Sequence, residues 1–229
     1  MTPADRLIVA LDVPAPDAGI LFSQLHRELG VTQFKVGAAT LIEWSGRTLI
    51  ENMQRDGARI MLDLKVYDVD TTVARVVREA HAMGVEMLTV HVRSVIAAIG
   101  AIRELARPTI LAVDALTSDG PGGGQSSGPF GLADGIVCHP SSARYYREIH
   151  GGKLIVCPGI RRPDREERLD ESTLLWVTGD APDDHIRPIS PREAIRNGAD
   201  MIIVGRPITG AADPVAVARE IIEEIADAG

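Results

Sequence analysis

The chain has 229 residues, of which 45% are hydrophobic and 24% are charged, and its formal net charge is −8. The apolar fraction is sufficient for a large core, which excludes an intrinsically disordered chain. The negative charge argues against a protein that coats nucleic acid or anionic membranes. The two cysteines form neither a CxxC pair nor a disulfide framework, and the sequence has neither a signal peptide nor an apolar run of roughly 18 residues. We therefore expect a cytoplasmic protein that binds neither nucleic acid nor membrane.

Eight short runs rich in β-branched and aliphatic residues predict β-strands. They are Leu7–Leu11, Gln33–Val36, Arg59–Leu64, Met87–Val92, Thr109–Val113, Gly135–Cys138, Lys153–Cys157 and Met201–Val204. The helix-like patterns between and after them are Ala18–Leu29, Thr40–Gln54, Thr72–Met83, Ser94–Leu105, Ser141–Ile149, Pro191–Asn197 and Pro214–Ala226. Alternation of this kind indicates parallel βα units. In a chain of this length it predicts one α/β domain over residues 1–229, a (β/α)8 TIM barrel, with a doubly wound open sheet as the alternative.

Two connections depart from this regular pattern. Residues 118–131 contain six glycines and two prolines, a composition that cannot form a stable helix. Helix five of the barrel is therefore predicted to be missing or replaced by a Gly-rich loop. The stretch Arg161–Asp184, between the seventh and eighth strands, is long enough to be a lid or binding loop.

Of the 24 basic residues only three are lysines, namely Lys35, Lys65 and Lys153. A lysine ammonium can lose its proton, whereas an arginine guanidinium effectively cannot, so the remaining lysines are candidates for a chemical role. Lys35 lies on the second predicted strand, and Lys65 lies at the end of the third. Lys153 begins a strand and is predicted to be a solvated surface residue.

Polar residues at strand ends are the candidates for a site, because a barrel of this type carries its active site there. Asp63 and Lys65 are two residues apart on the third strand, so their side chains are predicted to point to the same face. Such a pair can keep a lysine charged as a proton donor, and a structural salt bridge is the alternative. Gly205 and Arg206 after the last strand are typical of a phosphate site, although the same pattern occurs in simple turns.

Seven segments, in order along the chain, resemble the orotidine 5′-monophosphate decarboxylase family. They are residues 6–13 (RLIVALDV), 34–37 (FKVG), 62–68 (LDLKVYD), 90–91 (VH), 116–118 (LTS), 158–161 (PGIR) and 204–209 (VGRPIT). The D-x-K-x-x-D motif is shared by the wider superfamily, whereas Leu-Thr-Ser and Val-Gly-Arg-Pro-Ile point to the decarboxylases. The resemblance implies a homodimeric (β/α)8 barrel with no metal or organic cofactor. It also implies a carboxy-lyase that converts orotidine 5′-monophosphate to uridine 5′-monophosphate and CO2, the last step of de novo pyrimidine biosynthesis.

The same resemblance implies a role for each catalytic position. An alternating network of catalytic charges would consist of Lys35, Asp63, Lys65 and Asp68. Lys65 would protonate the carbanion at C6 of the pyrimidine, and Asp63 would lie near the departing carboxylate and help to hold Lys65. Asp68 would enter the active site of the partner subunit, as would Thr72.

Further positions match residues that bind the nucleotide in the family, namely Asp12, Thr72, Ser118, Pro158, His185, Gly205 and Arg206. Asp12 would bind the ribose hydroxyls together with Lys35, Ser118 would bind the pyrimidine, and Arg206 would bind the phosphate. His185 stands where the family has a glutamine that bridges phosphate and base.

The chain also departs from the family pattern. After the third-strand motif the family continues with Ile-Pro-Asn-Thr, whereas this chain has Val-Asp-Thr-Thr at residues 69–72. Residues 118–131 are shorter than in the family, and the lid is longer. One alternative is therefore a superfamily sibling that acts on a sugar phosphate with Mg²⁺, either a 3-keto-gulonate 6-phosphate decarboxylase or a hexulose-phosphate synthase. The other is a divergent nucleotide-binding paralogue without catalysis.

Overall fold

The computed structural model describes residues 1–101, 108–113, 129–161 and 189–229. Eight parallel strands close into a barrel in the order of the sequence. They are β1 (Leu7–Ala10), β2 (Gln33–Gly37), β3 (Arg59–Val66), β4 (Met87–His91), β5 (Thr109–Val113), β6 (Gly135–Val137), β7 (Leu154–Cys157) and β8 (Met201–Val204). Pairing of β1 with β8, for example Ile8 with Ile203, closes the barrel. The TIM barrel is therefore confirmed, and the open-sheet alternative is wrong.

Helices surround the strands on the outside of the barrel. The α-helices within the described residues are α1 (Ala15–Leu29), α2 (Ala38–Ile42), α3 (Gly46–Arg55), α4 (Asp70–Ala82), α5 (Val95–Gly100), α6 (Ala143–Ile149), α7 (Pro191–Arg196), α8 (Arg206–Thr209) and α9 (Pro214–Ala226). The short helix α8, directly after β8, has no counterpart in the sequence pattern. None of the helices described is both long and apolar enough to cross a membrane.

The single helix predicted over Thr40–Gln54 is wrong, because the chain breaks between α2 and α3. Glu43 has an extended backbone that ends α2. Gly46 then begins α3 at a point where a Cβ atom would lie 2.1 Å from the carbonyl oxygen of Thr40. Only glycine permits this close approach, so the break depends on Gly46.

The strands bury side chains on both faces, and the two faces build different layers. Within β1, Leu7 and Val9 pack in the outer layer, between the strands and the helices. Ile8 and Ala10 pack in the barrel interior. Since side chains alternate along a strand, the next interior position after Ala10 is Asp12. The interior thus changes from an apolar floor to a polar mouth at the carboxyl ends of the strands.

Three predictions concern the loops and the third lysine. The predicted loss of helix five concerns residues 118–131, of which residues 118–128 lie outside the described residues. At the end of this stretch the chain forms a short 3₁₀ turn, Phe130–Leu132. For the predicted lid, residues after Arg161 lie outside the described residues as well. The prediction that Lys153 is solvated is wrong: Lys153 is half-buried, and its Nζ donates a hydrogen bond to the carbonyl of Ala133 at 2.7 Å.

Candidate active site

A cavity of about 390 Å³ opens at the carboxyl ends of the strands. The cavity brings together seven of the residues singled out from the sequence, namely Asp12, Lys35, Asp63, Lys65, Pro158, Gly205 and Arg206. These residues come from five different strands or the loops that follow them. The closure of the barrel therefore assembles residues that are far apart in the sequence.

Lys35 joins two carboxylates at the wall of this cavity. Its Nζ lies 2.8 Å from Oδ2 of Asp12 on one side and 3.2 Å from Oδ2 of Asp63 on the other. Phe34 and Val36 pack into the outer layer, so Lys35 between them points into the barrel. The Lys35 side chain is 9% exposed, and burial of a charge to this extent requires partners of opposite charge. Asp12 and Asp63 supply them.

Asp63 is the centre of the network. Both of its carboxylate oxygens lie 2.8 Å from Nζ of Lys65, and Oδ1 accepts a hydrogen bond from the Thr89 hydroxyl at 2.9 Å. Burial acts to raise the pKa of Asp63, but the charge of Lys35, the contact with Lys65 and the Thr89 hydroxyl together outweigh it. The net pKa of Asp63 lies below its usual range, so the carboxylate is ionised at neutral pH and keeps a negative charge beside Lys65.

The end of β3 is not a regular strand. Leu62 pairs with Leu88 and Val66 pairs with Val90, so three residues of β3 face the single residue Thr89 of β4. Within this bulge Lys65 adopts a left-handed backbone with φ +45°. Asp63 and Lys65 do converge on the cavity, as predicted, but the geometry that brings Lys65 there is a bulge and not the simple alternation of a strand.

Two predicted site residues do not line the cavity of their own chain. Asp68 and Thr72 are exposed, the former in the loop after β3 and the latter on α4. The Asp68 carboxylate accepts a hydrogen bond from the backbone N–H of Val69 at 2.7 Å, just before the start of α4. The neighbouring side chains of Tyr67 and Val69 are also exposed, at 62% and 67%. This loop therefore presents an apolar and acidic surface outward.

The remaining predicted contacts lie on the other strands that border the cavity. Pro158 follows β7, and Gly205 follows β8 next to β1, where a Cβ atom would lie 3.4 Å from that of Ala10. Arg206 is exposed at the cavity rim. Ser118 and His185 lie outside the described residues.

One cavity residue, His139, was missed from the sequence. Its Nδ1 lies 2.8 Å from the hydroxyl of Ser141 and accepts a hydrogen bond from the backbone N–H of that residue. Burial lowers the pKa of His139, so the ring is neutral at pH 7. The sequence contains a signal for it. Val137 lies on the interior face of β6, and a side chain two positions later points to the same face. By contrast His91 lies outside the cavity lining and packs against the ring of Tyr67 at 4.6 Å.

The two cysteines end β6 and β7 side by side. Sγ of Cys138 lies 4.0 Å from Sγ of Cys157, and both residues are buried. The hydrogen bond with Cys138 and, after it, burial raise the pKa of Cys157. The thiol therefore stays protonated at neutral pH, and the two cysteines pack as small buried apolar residues.

Comparison with known proteins places this chain in a family. The family described as "Orotidine 5'-phosphate decarboxylase / HUMPS family" matches residues 5–221. Proteins named orotidine 5'-phosphate decarboxylase from Rhodopseudomonas palustris strain BisB5 and Methylobacterium nodulans are 36% and 35% identical to it. These alignments cover 98% and 99% of this chain and 96% and 98% of the relatives.

Solved structures give the same result. The crystal structure of orotidine 5'-phosphate decarboxylase from Lactobacillus acidophilus is 26% identical, with a TM-score of 0.69 over 96% of this chain and 99% of that one. The enzyme of the same name from Pyrococcus horikoshii OT3, at 22% identity and a TM-score of 0.70, shares the fold. With the sequence match over nearly its whole length, the chain belongs to the orotidine 5'-phosphate decarboxylase / HUMPS family.

Proposed function

We propose that this chain decarboxylates orotidine 5′-monophosphate to uridine 5′-monophosphate and CO2. The observation that carries the proposal is the pair formed by the Lys65 ammonium and the ionised Asp63 carboxylate in a cavity that Arg206 also lines. Both carboxylate oxygens of Asp63 hold the Lys65 ammonium in place, and an ammonium has a proton to donate. The family membership and the names of the relatives support the same reaction.

The chemistry follows from what the reaction demands. When the bond between C6 and the carboxylate breaks, CO2 leaves and the electron pair remains on C6 in the plane of the ring, where the π system cannot delocalise it. A positioned positive charge is therefore the available means of stabilisation. Lys65 supplies that charge and then its proton, which forms the C6–H bond and leaves a neutral amine that water reprotonates.

The substrate would be held by the other charged groups of the cavity. Asp12 and Lys35 are hydrogen-bonded to each other and offer an acceptor and a donor to the ribose hydroxyls. Arg206 offers a guanidinium that matches a phosphate. Phosphate binding away from C6 contributes to the rate when its energy is used to position the reacting ring.

We further propose a homodimer with shared active sites. Asp68 and Thr72 face outward from their own chain, as expected of residues that complete the cavity of a partner. The exposed side chains of Tyr67 and Val69 around them would be covered by such a contact. Mixing Asp68→Asn subunits with Lys65→Ala subunits should regenerate one intact site per heterodimer, whereas no recovery of activity would argue that the sites are not shared.

The proposed reaction is tested by following the ultraviolet absorbance of orotidine 5′-monophosphate with purified protein. Lys65→Ala should abolish turnover and retain binding of uridine 5′-monophosphate, measured by calorimetry. Lys153→Ala is the matched control, because Lys153 contacts a carbonyl oxygen remote from the cavity lining and should leave turnover unchanged. A wild-type protein without turnover would overturn the proposal.

The same assay separates the two alternatives. Activity on a sugar phosphate that requires Mg²⁺ and is lost with a chelator would favour the sugar-phosphate sibling of the superfamily. Tight binding of uridine 5′-monophosphate without turnover would favour a nucleotide-binding paralogue. The Lys35 ammonium lies between Asp12 and Asp63 and is paired with both carboxylates, which favours the decarboxylase over a site that offers these carboxylates to Mg²⁺.

A further inference from the structure

A buried hydroxyl from β4 contacts both members of the Asp63–Lys65 pair. Thr89 is 1% exposed. Its Oγ1 accepts a hydrogen bond from the backbone N–H of Lys65 at 2.9 Å and donates one to Oδ1 of Asp63 at 2.9 Å. One side chain thus contacts the backbone of the proposed proton donor and the carboxylate that holds its ammonium.

The bulge in β3 explains why this hydroxyl is needed. Between the pairs Leu62–Leu88 and Val66–Val90, Thr89 is the single residue of β4 that faces the bulge. A bulge takes backbone groups out of the regular hydrogen-bond ladder between strands. The N–H of Lys65 finds its partner in the Thr89 side chain, so the donor is not left unsatisfied.

The conformation of Lys65 adds a second reason. Its φ of +45° lies in the left-handed region, which disfavours any residue with a Cβ atom. Such a conformation persists only when its surroundings hold it in place. The contact from Thr89 to the N–H of Lys65 acts directly on the residue that carries this angle.

We propose that Thr89 is a positioning residue for the decarboxylation, acting through Lys65 and Asp63. The inference rests on the proposed function, since it concerns the placement of the proton donor. A hydroxyl has one proton to donate and lone pairs to accept with. Because Thr89 donates to the Asp63 carboxylate and accepts from the backbone of Lys65, one side chain fixes the positions of both residues.

The test compares Thr89→Val, which keeps the shape and removes the hydroxyl, with Thr89→Ser, which keeps the hydroxyl. We expect Thr89→Val to lower kcat by about 10- to 100-fold, as for loss of a buried hydrogen bond to a charged site. KM should change by less than about threefold, because substrate-binding groups are untouched. Thr89→Ser should retain kcat within about threefold of wild type. Equal kcat for the two variants, with differences in thermal stability alone, would show a structural role and overturn the proposal.

The pH dependence of kcat distinguishes a positioning role of Thr89 from a role in packing alone, because a change in packing would not shift it. Within the described part of the chain, the charged groups that face Asp63 are Lys35 from β2 and Lys65 from its own strand. Loss of the Thr89 hydrogen bond removes one of the contacts that lower the pKa of Asp63, so the acidic limb of kcat should shift to higher pH in Thr89→Val. Thr89→Ser should not show this shift, and an unshifted limb in Thr89→Val would count against the proposal.

The outcome for Thr89 can be separated from that for the reaction. A wild-type protein without turnover overturns the decarboxylation. In that case the carbon-13 NMR titration of the Asp63 carboxyl still decides whether Thr89 positions the pair. A higher pKa in Thr89→Val than in wild type and Thr89→Ser supports positioning, whereas an unchanged pKa overturns it. Thr89→Ala provides a second variant without the hydroxyl if Thr89→Val does not fold.

Discussion

Replacing Lys35 by Met tests whether the network stabilises the barrel through charge. The Lys35 and Asp63 side chains are only 9% and 12% exposed, and their charged atoms are 3.2 Å apart. At an effective dielectric constant of about 20 this separation corresponds to an attraction of about 5 kcal/mol. Desolvation of the two charges offsets much of this attraction, and in the variant Asp63 retains Lys65 and Thr89 as partners. We therefore expect Lys35→Met to lower the free energy of unfolding by about 2–3 kcal/mol at pH 7.

The loss of stability in Lys35→Met should depend on pH in a defined direction. The folded-state pKa of Asp63 is depressed, so its contribution to stability is present above the unfolded pKa of about 4 and is lost as the pH falls through the folded pKa. Removing Lys35 raises the folded pKa of Asp63 and diminishes this contribution. The difference between variant and wild type should therefore be largest at neutral pH and should shrink below about pH 4.

Urea denaturation of both proteins at several pH values measures this difference. Lys153→Met is the matched control: it also removes a half-buried lysine, but one whose Nζ contacts the carbonyl of Ala133. Its effect should be the same at every pH. If Lys35→Met destabilises the barrel equally at pH 7 and at about pH 2, where the Asp63 carboxyl is protonated, or only as much as Lys153→Met, the network does not stabilise the barrel through charge.

Three further predictions concern the scaffold and the cavity rim. Gly135→Ala should lower the free energy of unfolding by about 2 kcal/mol or more in urea denaturation, because a Cβ atom would lie 2.7 Å from the carbonyl oxygen of Leu154; Gly100→Ala, with open space around it, should not destabilise. Ser190→Ala should cost about 1 kcal/mol in the same assay, since Ser190 forms a capping box at the start of α7. Arg206→Ala should weaken binding of uridine 5′-monophosphate about 10- to 100-fold in calorimetry and leave uridine binding unchanged; equal weakening for both ligands would contradict a phosphate contact.

Much of the site could be predicted because the barrel repeats one rule. Alternation along β1 and β2 directs Asp12 and Lys35 inward, and the carboxyl ends of the strands meet at one mouth. The same rule applied to β6 would have found His139. His139 belongs to none of the sequence motifs, so only its position two residues after Val137 indicates that it faces the cavity.

Other features depend on contacts that a single stretch of sequence does not reveal. The bulge in β3 arises where three residues face Thr89 on another strand, and nothing within residues 63–65 specifies that mismatch. The break after α2 depends on the approach of Gly46 to the carbonyl of Thr40, a packing effect that overrides a continuous helical pattern. The roles proposed for Asp68 and Thr72 require a second chain.

The bulge in β3 also shows that the barrel and the cavity place different demands on this strand. If two of the three residues between Leu62 and Val66 were absent, each remaining residue of β3 would face one residue of β4. Such a strand would hydrogen-bond without interruption and would need no left-handed lysine. The two additional residues interrupt this ladder where Lys65 enters the cavity, and a local cost in stability at a site is a trade-off that many enzymes show. Substitutions that make β3 more regular are therefore expected to yield a more robust but less active protein.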